Sequence, residues 1–345
     1  MGTEGSNPSP SAPTPGLAFV AGPGVFAFCG GRGTAARGRF RLSPHTLSTA
    51  MPNPILCVGE VLWDAMPDGL FLGGAPYNVA CHLRRLGQPA ALVSRVGDDV
   101  LGREVLRRLE ANDLGTDHVQ VDPEIPTGFV RVDVDAEGIP AYEIVRPAAW
   151  DAIALDDALR DAAAEARAVV FGSLAQRAET SRRTVRALST AGALAVFDVN
   201  LRPPFVDRSV VQTSLEAADF VKLNEDELEE MSGWFGWPGG MRTAVDALAD
   251  AFGCRLVCVT RGDAGAVLWH EGAWAEHAGL PITVRDTVGA GDAFLAGLLA
   301  GLLDGCGDEV ALDIACHLGA FVASKSGATP NYVVTTLGEV ASFAR

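Results

Sequence analysis

Basic side chains are scarce in this 345-residue chain, where 27 Lys and Arg stand against 43 Asp and Glu and the formal net charge is −16. A surface that binds nucleic acid neutralises phosphates with clustered Lys and Arg, so this balance excludes a nucleic-acid partner. Cysteine is sparse too: seven are scattered at positions 29, 57, 81, 254, 258, 306 and 316 without a CxxC pair. That is no framework for secreted disulfides, and a reducing cytosol is the simplest home. Cys258 lies four residues after Cys254 but inside the apolar run Leu256 to Val259, which reads as a buried strand thiol rather than a metal ligand. None of the His residues forms an HExxH pair, and no Gly-x4-Gly-Lys-Ser/Thr loop occurs anywhere. The longest clean apolar run, Ala293 to Leu303, is eleven residues. A membrane span needs roughly twenty, so no transmembrane helix and no membrane partner are expected. What is present, 48% hydrophobic and 20% charged residues, is the composition of a globular chain with a sizeable core.

Residues 1–53 differ from the rest, being rich in Pro, Gly, Ser and Ala, with Glu4 as the only acid among Arg32, Arg37, Arg39 and Arg41. Three readings compete for this leader. It is a disordered extension or upstream start, because Met51-Pro-Asn-Pro54 runs straight into a strand-like segment; an Arg-rich organelle transit peptide; or a signal sequence, whose apolar stretch Leu17 to Gly31 is broken by Pro23. The bland extension is favoured, which makes residues 54–345 the folded domain and the cytoplasm its location unless the leader directs organelle import.

From Ile55 onward, apolar runs suited to strands alternate with helical patterns. Ile55–Gly59, Ala91–Val96, Ala168–Phe171, Leu194–Asp198, Phe220–Leu223 and Leu256–Thr260 read as strands rich in Val, Leu and Ile. Tyr77–Leu86, Leu101–Asn112, Leu155–Arg167, Ser181–Ala191 and Met241–Phe252 have helical composition. The alternation predicts an α/β fold with a mostly parallel sheet covered on both faces, and ligands at the C-terminal strand ends. A second texture spans about 125–147: Phe129 to Val134 and Ala141 to Val145 flank the turn signal Asp135-Ala-Glu-Gly138 and predict a hairpin. With about 68–73 it would form a small projecting sheet. Asp133, Asp135, Glu137 and Gly138 imitate the start of a calcium loop, but Ile144 stands where the bidentate Glu is required.

The strongest local signal is Asp286-Thr-Val-Gly-Ala-Gly-Asp-Ala-Phe294, leading into the apolar run to Leu303. Gly289, Ala290 and Gly291 allow close backbone approach, and a helix start there turns unpaired N–H groups toward an anion. Asp292 within it is placed to take a proton from a hydroxyl while the amides stabilise charge on a transferred phosphoryl group. The bland reading, an acid satisfying its own first-turn amides, stays open at this point. A second signal is Gly73-Gly-Ala-Pro-Tyr-Asn78-Val-Ala80, followed by Gly87 and Gly97, in which Pro76 can start a helix and place Asn78 in its first turns. Asp64 lies close by in the chain.

Gly73-Gly74, Asn78-x-Ala80, Gly87 and Gly97, together with Asp286-Thr-Val-Gly-Ala-Gly-Asp292, resemble both signature patterns of the ribokinase-like (PfkB) sugar kinases, in order and about 200 residues apart. The resemblance covers about Pro54 to Asn331, and Gly59-Glu-Val-Leu-Trp-Asp64, Gly73 to Pro76 and Asp198-Val-Asn-Leu-Arg202 look most like the fructokinase branch. It implies a three-layer α/β/α domain with a small β-sheet lid and an enzyme that phosphorylates a primary hydroxyl of a sugar with ATP, above all fructose. 2-Keto-3-deoxygluconate, ribose or a nucleoside as acceptor, and a catalytically silent sugar-binding regulator, are the alternatives.

Position by position, the resemblance makes Asp292 the catalytic base and Gly289, Ala290 and Gly291 its anion hole. Asp64, Gly73, Gly74 and Asn78 match sugar-binding positions, and Arg146 and Trp150 after the hairpin are candidates to close over the sugar. Asn224 and Glu227, in Lys222-Leu-Asn-Glu-Asp-Glu-Leu228, match a pattern tuning Mg²⁺ and phosphate binding through waters; the bland reading there is a solvated acidic helix start. Thr260, Gly262 and Gly265 resemble the loop beneath ATP, and Ala323 to Thr329, with Gly327, the wall beside adenine. Arg202 is a candidate neighbour of the phosphates. Asp286 matches a residue associated with monovalent cation (K⁺) binding in some relatives. Many relatives pair through the small sheet, so a homodimer through the lid is the expected assembly.

Overall fold

The computed structural model describes residues 53–66, 69–134 and 140–343. The leader and the turn Asp135 to Gly138 lie outside the described residues.

The main sheet is built from strands whose residues point alternately to two covered faces. In order along the chain come β1 (Ile55–Val58), then, after two strands of a second sheet, α1 (Ala75–Arg85), β4 (Ala90–Gly97), α2 (Val100–Ala111) and β5 (Val119–Asp122). After two more strands of the second sheet follow α3 (Asp157–Glu165), β8 (Ala168–Gly172), α4 (Glu179–Ser189), β9 (Leu194–Asp198), α5 (Arg208–Ala217) and β10 (Phe220–Asn224). The chain continues through α6 (Glu225–Phe235), α7 (Met241–Phe252), β11 (Leu256–Thr260), β12 (Ala266–His270), β13 (Ala273–His277), α8 (Ala290–Leu303) and α9 (Asp308–Ala323). The spatial order is β13-β12-β11-β10-β9-β8-β1-β4-β5, parallel from β11 through to β5 and antiparallel at β12 and β13. Ile55 and Cys57 enter one core with residues of α1, α2, α8 and α9, while Leu56 and Val58 enter the other with residues of α3, α4, α5, α6 and α7. Two buried faces explain why these strands are continuous apolar runs rather than alternating ones.

The second sheet is formed by β2 (Leu62–Met66), β3 (Gly69–Gly73), β6 (Gly128–Val134) and β7 (Pro140–Ile144), in the order β3-β2-β6-β7. The expected hairpin is β6 against β7, antiparallel. It does not meet β3 directly. β2 lies between them, antiparallel to β3 and parallel to β6, so the segment containing Asp64 is a strand rather than a loop after β1. β2 was not legible because its place in the sheet depends on β6, and β2 to β6 spans more than sixty positions.

α8 is apolar on every side because it is buried on every side: it packs against α9 and α1, with Gly301 and Gly297 facing Ala311 and Ala315. No helix among the described residues is long and apolar enough to cross a membrane.

The small sheet joins the body where Gly128, the first residue of β6, lies against the Trp150 indole, and a methyl group there would also stand 2.7 Å from the Val61 carbonyl oxygen. Gly128→Ala is expected to destabilise the protein by about 1–3 kcal/mol, because a buried ring and a backbone carbonyl must both shift. Thermal unfolding of the variant beside the parent measures it.

Candidate active site

The start of α8 is held by what surrounds it. Gly289 caps the helix in a left-handed conformation, φ 77°, and a side chain there would meet Ala328 at 2.5 Å. Glycine is required on both counts. No side chain caps the first turn; the Ala290 amide donates to the Thr287 carbonyl at 3.2 Å, and the amides of Gly291 and Asp292 are left available to a ligand. Asp292, third in the helix, does not serve its own amides: its Oδ2 accepts a hydrogen bond of 2.7 Å from Asn78 Nδ2 on α1, 214 positions earlier. Burial, reinforced by the Asp198 carboxylate, pushes the Asp292 carboxyl up to about 6, against Asn78, Lys222 and Arg202, which favour its ionised form.

Asn78 is where it is because α1 starts at Gly74. That glycine has φ 112°, and any side chain on it would collide with the Glu60 carbonyl oxygen; Pro76 follows in the first turn. Gly73 closes β3 against the Asp64 carboxylate. The Asp64 carboxyl is itself raised to about 6 by burial, with Arg202 pulling the other way. Gly73, Gly74, Asp64 and Asn78 thus gather at one mouth, on the side of Asp292.

Beneath the glycine-rich turn, Lys222 Nζ contacts Asp198 at 3.0 and 3.1 Å and stands 3.2 Å from where a side chain at Gly291 would begin. Burial works against this ammonium, but Asp198, Glu227 and Asp292 outweigh it and hold it charged. Asn224 and Glu227 form a capping box at the start of α6: Asn224 Oδ1 accepts from the Glu227 amide at 2.8 Å, and Glu227 Oε2 from the Asn224 amide at 2.9 Å. Glu227 Oε1 accepts from the Leu201 amide at 2.8 Å. With both oxygens engaged by amides and the side chain buried, Glu227 suits a divalent ion reached through water rather than direct ligation. Asn224 is exposed and pairs in register with Thr260 on β11.

Thr260 leads into the turn of Gly262 and Gly265, the latter packed against the backbone of His277 and Gly279. Asp286 joins two loops, with Oδ1 accepting from the Val288 amide at 3.0 Å and Oδ2 from the Gly327 amide at 2.9 Å. Two expectations fare differently. Arg146 is exposed, its guanidinium 5.5 Å from the Phe205 ring centre. Trp150 does not face outward: it is fully buried, with Arg177 stacked 3.9 Å over its ring and bonded to Asp151 at 2.7 Å. Its indole supports the wall of the small sheet and is not free to close over a ligand.

Three contributors escaped sequence reasoning. His82, one turn after Asn78, is fully buried, its Nε2 2.9 Å from the Ala328 carbonyl and its Nδ1 2.9 Å from the Tyr332 hydroxyl. Burial lowers it to about 4, so it is neutral. Lys222 and Glu60 are the others. Their signal was a charged residue within or just after an apolar strand run, a position seldom tolerated without a partner or a function.

Residues 60–335 match the pfkB family carbohydrate kinases. A fructokinase from Klebsiella pneumoniae is 33% identical over 299 residues, spanning 81% of this chain and 95% of the relative. Among solved structures, a fructokinase double mutant from Vibrio cholerae O395 in fructose, ADP and potassium ion bound form superposes with TM-score 0.71 at 26% identity, covering 86% of this chain and 100% of its own. A sugar kinase from Pyrococcus horikoshii in complex with ATP gives 0.69 at 26%, covering 83% and 99%. The chain therefore belongs to the pfkB family of carbohydrate kinases.

A carboxyl raised from 3.8 to about 6 holds its proton more tightly in the folded protein than in the unfolded chain, so the stability it contributes falls as pH rises through that window. At pH 7 the ionised group opposes folding. Asp292→Asn is expected to stabilise the protein at pH 7 by about 1 kcal/mol, discounted for partial exposure, and to lose that advantage at pH 4; melting temperatures at the two pH values test it.

Proposed function

We propose that the protein is an ATP-dependent fructokinase that transfers the γ-phosphoryl group to the 6-hydroxyl of fructose, with Asp292 as general base. The observation that carries this reading is the hydrogen bond between Asn78 and Asp292, which brings the two glycine-containing motifs into one site. The sequence relatives named fructokinase and the structure bound to fructose and ADP support the acceptor.

In this reading Asp64, Gly74 and Asn78 orient the sugar, and Asp292 Oδ1, the oxygen not used by Asn78, takes the proton as the hydroxyl attacks in line. The amides at the start of α8, foremost those of Gly289 and Gly291 since that of Ala290 donates to the Thr287 carbonyl, receive the charge of the transferring phosphoryl group. The turn of Thr260, Gly262 and Gly265 and the loop at Gly327 hold the nucleotide. Asn224 and Glu227 would hold Mg²⁺, and the ion would supply charge neutralisation on the phosphates. Asp286, whose two carboxylate oxygens each accept one amide, is the residue that would help hold a potassium ion, which would add positive charge beside the nucleotide. The small sheet closes as a lid and excludes water from the transfer.

Coupled ADP release across fructose, ribose, 2-keto-3-deoxygluconate and nucleosides, with and without Mg²⁺, tests the acceptor. Fructose is expected to give the highest kcat/KM, and a clear preference for another acceptor overturns the fructose assignment. Asp292→Asn should lower kcat by about 10²–10⁴ with both KM values nearly unchanged; near-parental turnover would remove Asp292 from the role of base. In the parent, kcat should decline as pH falls through about 6, where Asp292 gains the proton that prevents it from accepting another. A flat acid limb between pH 7 and 5 contradicts that assignment.

A further inference from the structure

Glu60 follows β1 at the C-terminal edge of the main sheet. It is only 3% exposed, yet its Oε2 has no hydrogen-bond partner among the described residues. Four of the other buried or half-buried carboxylates of the site are engaged, Asp292 with Asn78, Asp198 with Lys222, Glu227 with two amides and Asp286 with two, whereas the half-buried Asp64 shares with Glu60 the want of a hydrogen-bond partner among the described residues. The groups acting on Glu60 are its own backbone amide, Arg202 from the segment after β9, Asp292 from α8 and the amide of Ala75 at the start of α1. Arg202 forms no ion pair with it and donates instead to the Leu201 carbonyl at 3.0 Å. Burial raises the Glu60 carboxyl to about 7.

The side chain therefore sits between the helix that carries Asn78 and the helix that carries Asp292. Asn78 Oδ1 shares its condition: it is 4% exposed at the residue level and has no partner, because the amide has turned its Nδ2 toward Asp292. Two buried acceptors without donors, one carboxylate and one amide oxygen, stand beside the Asp292 carboxylate. An unmet buried acceptor costs about 1–3 kcal/mol, so such a pair in a folded protein marks the place of a ligand that brings donors. A sugar carboxylate placed against these two atoms brings none and would be repelled by Asp292. A neutral ligand with several hydroxyls matches the deficit.

We propose that Glu60 is a specificity-determining residue: its Oε2 accepts a hydrogen bond from a sugar hydroxyl that does not react, while Asp292 takes the proton of the one that does. The inference rests on the kinase reading and deepens it, selecting neutral polyhydroxy acceptors over acidic ones at this end of the site.

The test is a residue-by-hydroxyl cycle on the full chain: parent, Glu60→Gln and Glu60→Ala, each assayed with the acceptor the parent uses best and with its monodeoxy analogues. Glu60→Ala should raise the sugar KM by ~10–100-fold, the range expected for a hydrogen bond to a charged acceptor, with the KM for ATP unchanged. One monodeoxy analogue, altered away from the reacting carbon, should be penalised in the parent but no longer in Glu60→Ala; Glu60→Gln should fall between. The proposal is overturned by an unchanged sugar KM, or by every analogue keeping its full penalty in Glu60→Ala. A merely structural Glu60 would instead lower the melting temperature of Glu60→Gln with sugar KM intact, whereas loss of an unpaired carboxyl should leave that temperature equal or higher. Because the acceptor is chosen by activity, preference for a sugar other than fructose defeats the fructose assignment and leaves the cycle intact. If the parent phosphorylates nothing, the kinase reading falls, and calorimetric binding of the sugars carries the same cycle; absence of any sugar binding overturns both.

Discussion

One hydrogen bond, from the Asn78 amide to the Asp292 carboxylate, sets the terms for the rest of this molecule. The proposed role of Asp292 as base requires a carboxylate shielded enough for its basicity to rise and held firmly enough to point at one place. Burial raises its basicity and Asn78 holds it, while Lys222 and Arg202 keep the ionised form accessible. Around that bond everything else follows from geometry. α1 has to begin at Gly74, because no other residue fits against the Glu60 backbone, and α8 has to begin at Gly289, because no other residue fits against Ala328.

The two faces of the main sheet divide the labour. α1 and α8, which carry Asn78 and Asp292, pack on the same face and against each other. The opposite face, with α3 to α7, contributes the end of β10 and the start of α6, where Asn224 and Glu227 cap the helix. A carboxylate that serves as a cap is stationary, and the proposed ion, reached through water, would call for such a fixed charge. What the contacts themselves define is a helix start.

Much of this was legible in the residues. β9, β11 and α7 begin and end where the apolar runs do, because their side chains face a core set by those runs alone. Asp292, Asn78 and the glycines were readable because a tight turn into a helix leaves a composition of its own. β2 and the place of Trp150 were not, since a strand is defined by its partners and a tryptophan beside a loop reads the same whether it faces a ligand or a buried arginine. Glu60 and His82 were overlooked because a single polar residue in an apolar stretch announces only that a partner exists. Which partner, across 246 positions for His82 and Ala328, is known once the chain is folded.

His82 carries a mechanical meaning. It stands one helical turn from Asn78, so α1 is fastened at two levels, to the base at one and to the Ala328 carbonyl at the other. Ala328 rests on Gly289, and its neighbour Gly327 is tied to Asp286. α1 therefore cannot turn about its axis without disturbing the loop at Gly327 and Ala328, and that loop cannot shift without moving the start of α8. The starts of α1 and α8 and the 327–328 loop are one mechanical block, loaded through the buried His82.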